Sequence, residues 1–310
     1  MQRKYTSVLI TCVLSWAYTY LSTEVFDQYA TGLFIWLPVM IGALTTVLFG
    51  YKNVVTGHAL RNASLLALLI YCLGLLVFAF EGLICIIMVA PVGILFTWIG
   101  YLLGIFILRK LFPGNNSIAI FLLVILSPAV MSVDAIRKEK PKLRSVTTSV
   151  EIAASPETVW QHVIAFPPLQ PPAEFIFKTG IAYPVSATIE GSGVGAVRRC
   201  NFSTGSFVEP VTVWDPPHVL AFTVLEQPEP MKELSPYKIH PNHLEGYWIS
   251  KHGEFKLTPM SNGHTLLTGT TWYENKIRPD IYWSLWSDKI VHAIHNRVLQ
   301  HIKNICEQPA

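Results

Sequence analysis

Five apolar runs, each near the roughly 20 residues that cross about 30 Å of hydrocarbon, fill the start of this chain at 5–22, 32–50, 63–80, 83–108 and 117–133. A backbone in lipid must satisfy its own N–H and C=O groups, so runs of this length are expected as helices. A cleaved leader would explain the first run alone. No small-x-small cleavage motif follows it, however, and four more runs come after. With 51% hydrophobic and only 14% charged residues, the 310-residue chain is too apolar for an ordinary soluble protein. The charge is also uneven: residues 1–136 hold six of the 23 Lys/Arg and four of the 20 Asp/Glu. The expected organisation is an all-α transmembrane bundle over 1–136, a basic linker over 137–145 and a second domain over 146–306.

Lys and Arg are retained on the cytoplasmic side of a membrane. Arg3 and Lys4 therefore place the N-terminus inside, and the loops holding Glu24 and Asp27, Lys52 and Arg61, Glu81, and then Arg109 and Lys110 alternate as that orientation requires. Five crossings would put the second domain outside, whereas the five positive charges of 137–144 argue for the inside. Either the segment 81–91 is re-entrant or interfacial and the number of crossings is even, or a large folded domain is translocated regardless of the linker; the expectation leans to a multi-pass inner (plasma) membrane protein with a cytoplasmic domain. Tyr5, Trp16, Tyr18, Tyr20, Trp36, Trp98 and Tyr101 are interfacial anchors or, for those deep in their runs, packing groups. Pro91 and Pro128 predict kinks or breaks. Glu81, followed by Gly82 between two apolar runs, is either a polar site or the carboxylate of a tight helical hairpin. Cys12, Cys72 and Cys85 lie in the runs, Cys200 and Cys306 beyond them, with no metal-type spacing.

Beyond the linker the periodicity changes. Residues 145–151 alternate as a strand, and Ser155-Pro156-Glu157-Thr158 opens a helix with Ser as cap and Pro at its first position. Period-two runs follow at 185–190, 195–202, 206–214, 219–225, 249–257 and 264–273, separated by turn residues. A polar, Pro-rich loop covers 227–246, and a last helix covers 279–306. On that helix Trp286, Ile290, Ile294, Val298 and Ile302 form the stripe expected to pack on the sheet. Asp288, His292 and His295 form a polar stripe beside it.

The segment VEIAASPETVWQHV resembles the opening of SRPBCC proteins, the superfamily with the START lipid-transfer and polyketide cyclase/dehydrase-like domains. GIAYP, FSTGSFVEPVTVWDPPHVLAF, GEFKLTP and GTTWYENKIRPDIYWSLWSD resemble a bacterial subgroup with a multi-span membrane N-terminus. The resemblance implies an α+β helix-grip fold, in which a curved antiparallel sheet grips the long C-terminal helix around an apolar cavity. It also implies a membrane-tethered domain that binds a lipid or other apolar small molecule. The alternative it implies is a cyclase/dehydratase-like enzyme.

Aromatic residues able to line such a cavity are Phe202, Phe207, Trp214, Tyr247, Trp272, Tyr282 and Trp286, though each could equally be packed core. Alternation puts Arg198, Cys200 and Phe202 on one face of a strand and Arg199 on the other, so one arginine faces inward, where it would suit an anionic head group. Acid/base chemistry would fall to Asp288, His292, His295 and Glu209. No metal centre and no cofactor are expected. Only convergence of His240 and His243 with His292 and His295 would supply metal ligands. Residues 145–310 carry a net charge of −3, which gives no footprint for nucleic acid. The expected partners are membrane lipids, attracted by the basic linker, and the apolar ligand.

Overall fold

A computed structural model of the protein describes residues 2–111, 116–137, 140–235 and 237–308, with side chains of 116 and 131–137 not described; Lys138 and Glu139 of the expected linker lie outside the described residues. The chain forms two compact units. The first comprises Met1–Lys140 together with Glu233–Asn242 and Ile277–Pro279; the second comprises Pro141–Lys232, His243–Lys276 and Asp280–Ala310.

Among the described residues, four helical stretches of the first unit are long and apolar enough to cross a membrane: Gln2–Val25, Gly32–Gly50, Gly57–Val77 and Leu83–Leu111. Their α-helical parts are α1 (Gln2–Tyr20), α2 (Leu37–Gly50), α3 (Gly57–Val77) and α4 (Leu83–Phe106). The apolar part of the fifth helix, α5 (Asn116–Arg137), is shorter, at Ser117–Val130. Of the kinks or breaks expected at the prolines, the breaks are absent: α4 continues through Pro91 and α5 through Pro128. Each loses one backbone hydrogen bond there while the flanking turns hold the helix.

Polar side chains join the helices, as they do where apolar contact alone cannot select a partner. Thr46 bonds Ser64 at 3.1 Å, Thr45 donates to Thr11 at 3.1 Å, Thr19 meets the Tyr71 hydroxyl at 2.7 Å, and Trp36 Nε1 donates to Ser127 at 2.9 Å. Trp16 donates to the Tyr71 carbonyl at 3.1 Å, so Trp16 and Trp36 are packing groups. Two glycines set the closest approach: a Cβ on Gly42 would meet the backbone of Thr97 and Tyr101 in α4, and one on Gly100 would meet the backbone of Val39 in α2.

The second unit is a curved sheet of seven antiparallel strands in the order β1-β7-β6-β5-β4-β3-β2. The strands are β1 (Leu143–Ile152), β2 (Pro184–Glu190), β3 (Val197–Phe202), β4 (Gly205–Asp215), β5 (Val219–Thr223), β6 (Trp248–Pro259) and β7 (Thr265–Asn275). Two short helices, α6 (Pro156–Ile164) and α7 (Phe175–Lys178), follow β1, and the long α8 (Asp280–Cys306) ends the chain. The Ser155 hydroxyl accepts from Thr158 N and Pro156 takes the first turn, which starts α6 where the cap residues indicated. The helix-grip architecture is therefore present, with strand bounds close to those of the alternating runs.

The buried stripe of α8 differs from the expected one. Trp283, Ser287, Val291, Val298, Leu299 and Ile302 are buried, while Trp286, Ile290 and Ile294 are half-buried. Val291 packs with Val146 and Tyr273 under β1 and β7, which turns the helix so that polar Ser287 and His295 face the sheet as well. Leu299 and Ile302 join Ile152, Trp160, Leu220 and Leu267 in the main core.

Gly100→Leu is expected to force α2 and α4 apart at an overpacking cost of about 1–3 kcal/mol or more. This is read as a lower thermal midpoint of the full-length protein in detergent. Gly57→Ala, whose added methyl meets only the tip of Tyr101, should leave the midpoint nearly unchanged.

Candidate ligand site

Period two along β3 turns Ala196, Arg198 and Cys200 to the inner face of the sheet, and hairpin register sets Glu209 of β4 directly opposite Arg198. The Arg198 guanidinium donates to Glu209, and both side chains are buried, at 2% and 6% exposure. Three rings surround the guanidinium carbon, Phe222 at 5.2 Å, Phe255 at 5.6 Å and Phe166 at 5.8 Å, so its charge is held by one carboxylate and by aromatic faces. Burial pushes the Glu209 carboxyl above its usual range although Arg198 counters it. Burial also works against the Arg198 charge, and the Glu209 carboxylate more than restores it. Arg199 points to the other face and pairs with Glu190 at 3.4 Å in solvent.

The expected aromatic lining is distributed unevenly. Phe202 and Phe207 meet edge to face at 4.8 Å, and Trp214 meets Trp160 at 5.6 Å; all four belong to or pack on the main core. Tyr247 is buried, its carbonyl accepting from Lys276 N. Trp272 lies on the face opposite Tyr273, stacked on His252 at 4.5 Å. Tyr282 and Trp286 are half-buried on α8, Tyr282 against Trp283.

The polar stripe of α8 meets the inner faces of β1 and β7. Asp288 accepts from the Tyr273 hydroxyl at 2.6 Å and lies 3.5 Å from Arg144. His292 Nδ1 and His295 Nδ1 share the Thr148 hydroxyl at 2.8 and 3.1 Å, and His295 Nε2 meets the Thr271 hydroxyl at 2.8 Å. Burial, with His292 adding to it, lowers the His295 pKa to about 4, so the ring is neutral at pH 7. The hydrogen bonds of Asp288 thus run to Tyr273 and Arg144 rather than to His292. Phe166, Thr148 and Thr271 were not singled out in the sequence. Alternation places Thr148 on the same face as Val146 and Val150, the one signal that would have found it.

Among the described residues, the one group of metal-type side chains that comes together contains none of His240, His292 and His295. His240 lines a recess of the first unit with Tyr20, Glu24 and Phe80. His243 is buried, and burial lowers its pKa to about 4.

Two outcomes test these assignments. Arg198→Met or Glu209→Leu alone strands a buried charge and should cost about 3–5 kcal/mol, while the double variant should cost less than either single one, read as non-additive shifts in thermal midpoint. His295 is held neutral in the fold with its pKa below the unfolded value of about 6.5. Its contribution is therefore fully present above pH 6.5 and lost as pH falls from about 6.5 to about 4. His295→Gln should flatten the fall in midpoint over that window, by an amount on the order of 1–3 kcal/mol.

Residues 144–273 match the family model described as polyketide cyclase / dehydrase and lipid transport. No curated protein matches the chain. Among solved structures, the chain is similar to protein CV1439 from Chromobacterium violaceum, at 12% identity over 53% of this chain and 98% of that one, with a TM-score of 0.34. It is similar to norcoclaurine synthase from Thalictrum flavum at 12% identity, over 56% of this chain and 99% of that one, TM-score 0.36. The Aha1 dimer from Colwellia psychrerythraea is 16% identical over 53% of this chain and 96% of that one, TM-score 0.31. The stretch matched by this SRPBCC-type family model, residues 144–273, holds most of the sheet and the Arg198–Glu209 pair.

Proposed function

We propose that the second unit takes up a lipid or another apolar small molecule with one anionic group, and that the helices of the first unit keep it at a membrane. The observation that carries this reading is the Arg198–Glu209 pair, turned inward and ringed by Phe166, Phe222 and Phe255. A buried ion pair costs desolvation that apolar residues of the same volume would not, so its presence among three phenylalanine rings fits recognition better than stability. Guanidinium and aromatic faces together suit a carboxylate or phosphate attached to an apolar body. The lipid transport in the family description agrees with this reading. The cyclase/dehydratase alternative would need an activated acid/base pair. His295 has both ring nitrogens on threonine hydroxyls and Asp288 is engaged by Tyr273, an arrangement that favours positioning over proton transfer.

In this reading four apolar helices return the chain to the side on which it starts, beside Arg3 and Lys4. The basic stretch 137–144 and the second unit then face the cytoplasm across the inner (plasma) membrane, with anionic lipid head groups as partners of the linker.

Full-length protein in lipid discs should bind a fluorescent long-chain fatty acid, and Arg198→Met should weaken it about 10- to 100-fold, as loss of a charge-assisted hydrogen bond would. The matching long-chain alcohol should be nearly unaffected by the substitution. Equal losses for acid and alcohol, or binding unchanged in the variant, would refute the role of Arg198. For the orientation, a fluorescent protein that matures only in the cytoplasm, fused after Ala310, should fluoresce. Activity of a fused alkaline phosphatase in its place would overturn the topology.

A further inference from the structure

Glu81 sits in the turn before α4 and Cys85 in its first turn, separated by the extended N-cap Gly82. A distant part of the chain, Glu233–Asn242, belongs to the same unit and reaches this turn. Leu83 N donates to the Leu234 carbonyl at 3.0 Å, and Cys85 Sγ donates to Glu233 Oε1 at 2.7 Å. The Glu233 side chain occupies the space that a Cβ on Gly82 would take, so only glycine at 82 allows the approach. The oxygen and sulfur atoms that Glu81, Cys85 and Glu233 offer lie within 4.8 Å of one another, and one oxygen of each carboxyl is shut off from solvent.

Two carboxyl groups and a thiol gathered in this way repel one another once ionised. Burial, and then the charge of Glu233, lifts the Glu81 carboxyl well above its usual range, and burial raises that of Glu233. A bound divalent ion inverts this balance, because it compensates the negative charges and draws the protons off its ligands. The donor set is selective. Mg²⁺ and Ca²⁺ take oxygen ligands, whereas one thiolate with carboxylates suits a borderline ion such as Zn²⁺. Zn–S and Zn–O bonds of about 2.3 and 2.0–2.2 Å hold ligand atoms roughly 3.5 Å apart, within the spread found here. We propose that Glu81, Cys85 and Glu233 bind a divalent transition-metal ion of the Zn²⁺ class, which fastens the turn before α4 to the segment that begins at Glu233. On binding, the Cys85 thiol and any protonated carboxyl release their protons to solvent and the metal–ligand bonds form without redox change.

The test is titration of full-length protein, purified in detergent and dialysed against a chelator, with Co²⁺. One equivalent should produce a sulfur-to-cobalt charge-transfer band that Zn²⁺ then displaces. Cys85→Ser should abolish the band, while Cys12→Ser and Cys72→Ser keep it. Glu233→Gln and Glu81→Gln, which preserve volume, should weaken Co²⁺ binding by about 100-fold or more. Absence of the band in the wild-type protein, its survival in Cys85→Ser, or affinity unchanged in both glutamine variants would overturn the proposal. If Cys85→Ser fails to fold, the two glutamine variants decide it through metal content measured on the purified protein.

Discussion

The inner face of the seven-stranded sheet has to be covered, and α8 with α6 is what covers it. A polar group buried on that face must find its partner inside, since a buried unpaired group costs roughly 1–3 kcal/mol and a buried unpaired charge more. Arg198 finds Glu209 across the β3–β4 ladder, Tyr273 finds Asp288, and Thr148 and Thr271 find His292 and His295. The contacts made by Asp288, His292 and His295 set how α8 is rotated against the sheet. Together the pairings concentrate the chemistry of the unit in two places, an ion pair among phenylalanines and a hydroxyl–imidazole seam along one helix.

Much of this was legible in the sequence because strand alternation and helix capping are local. Alternation separated Arg198 from Arg199, and the Ser155-Pro156 pair located the start of α6. What alternation does not contain is register. Arg198 and Glu209 were both visible as candidates, but that they face each other depends on how the hairpin closes around residues 203–205. The stripe of α8 was misplaced for a related reason. Counting apolar residues favours Ile290 and Ile294, whereas the sheet offers Thr271 and Tyr273, which select His295 and Asp288 for the contact. In the first unit the nearness of Glu81 and Cys85 is local, but Glu233 lies 148 residues from Cys85, and no pattern in the chain joins them.

The helices of the first unit illustrate a different economy. Their apolar surfaces carry little information about which helix meets which, because hydrocarbon is as good a neighbour as leucine. Pairing is specified instead by small and polar residues: Gly42 against the backbone of Thr97, Gly100 against Val39, Thr46 with Ser64, and Trp36 with Ser127. Hydropathy reveals the helices and is nearly silent about their arrangement.

The border between the two halves of this protein is not one point along the gene. Glu233–Asn242 and Ile277–Pro279 are encoded within the strand-rich part yet belong with the helices. Recombination at the linker, which a reading of hydropathy alone would mark as a natural joint, would hand a new partner a sheet still carrying two segments fitted to the old one. Descent of such a chain is expected to preserve the pairing of its halves, with insertions and deletions tolerated at the turns of the sheet and excluded from those two segments.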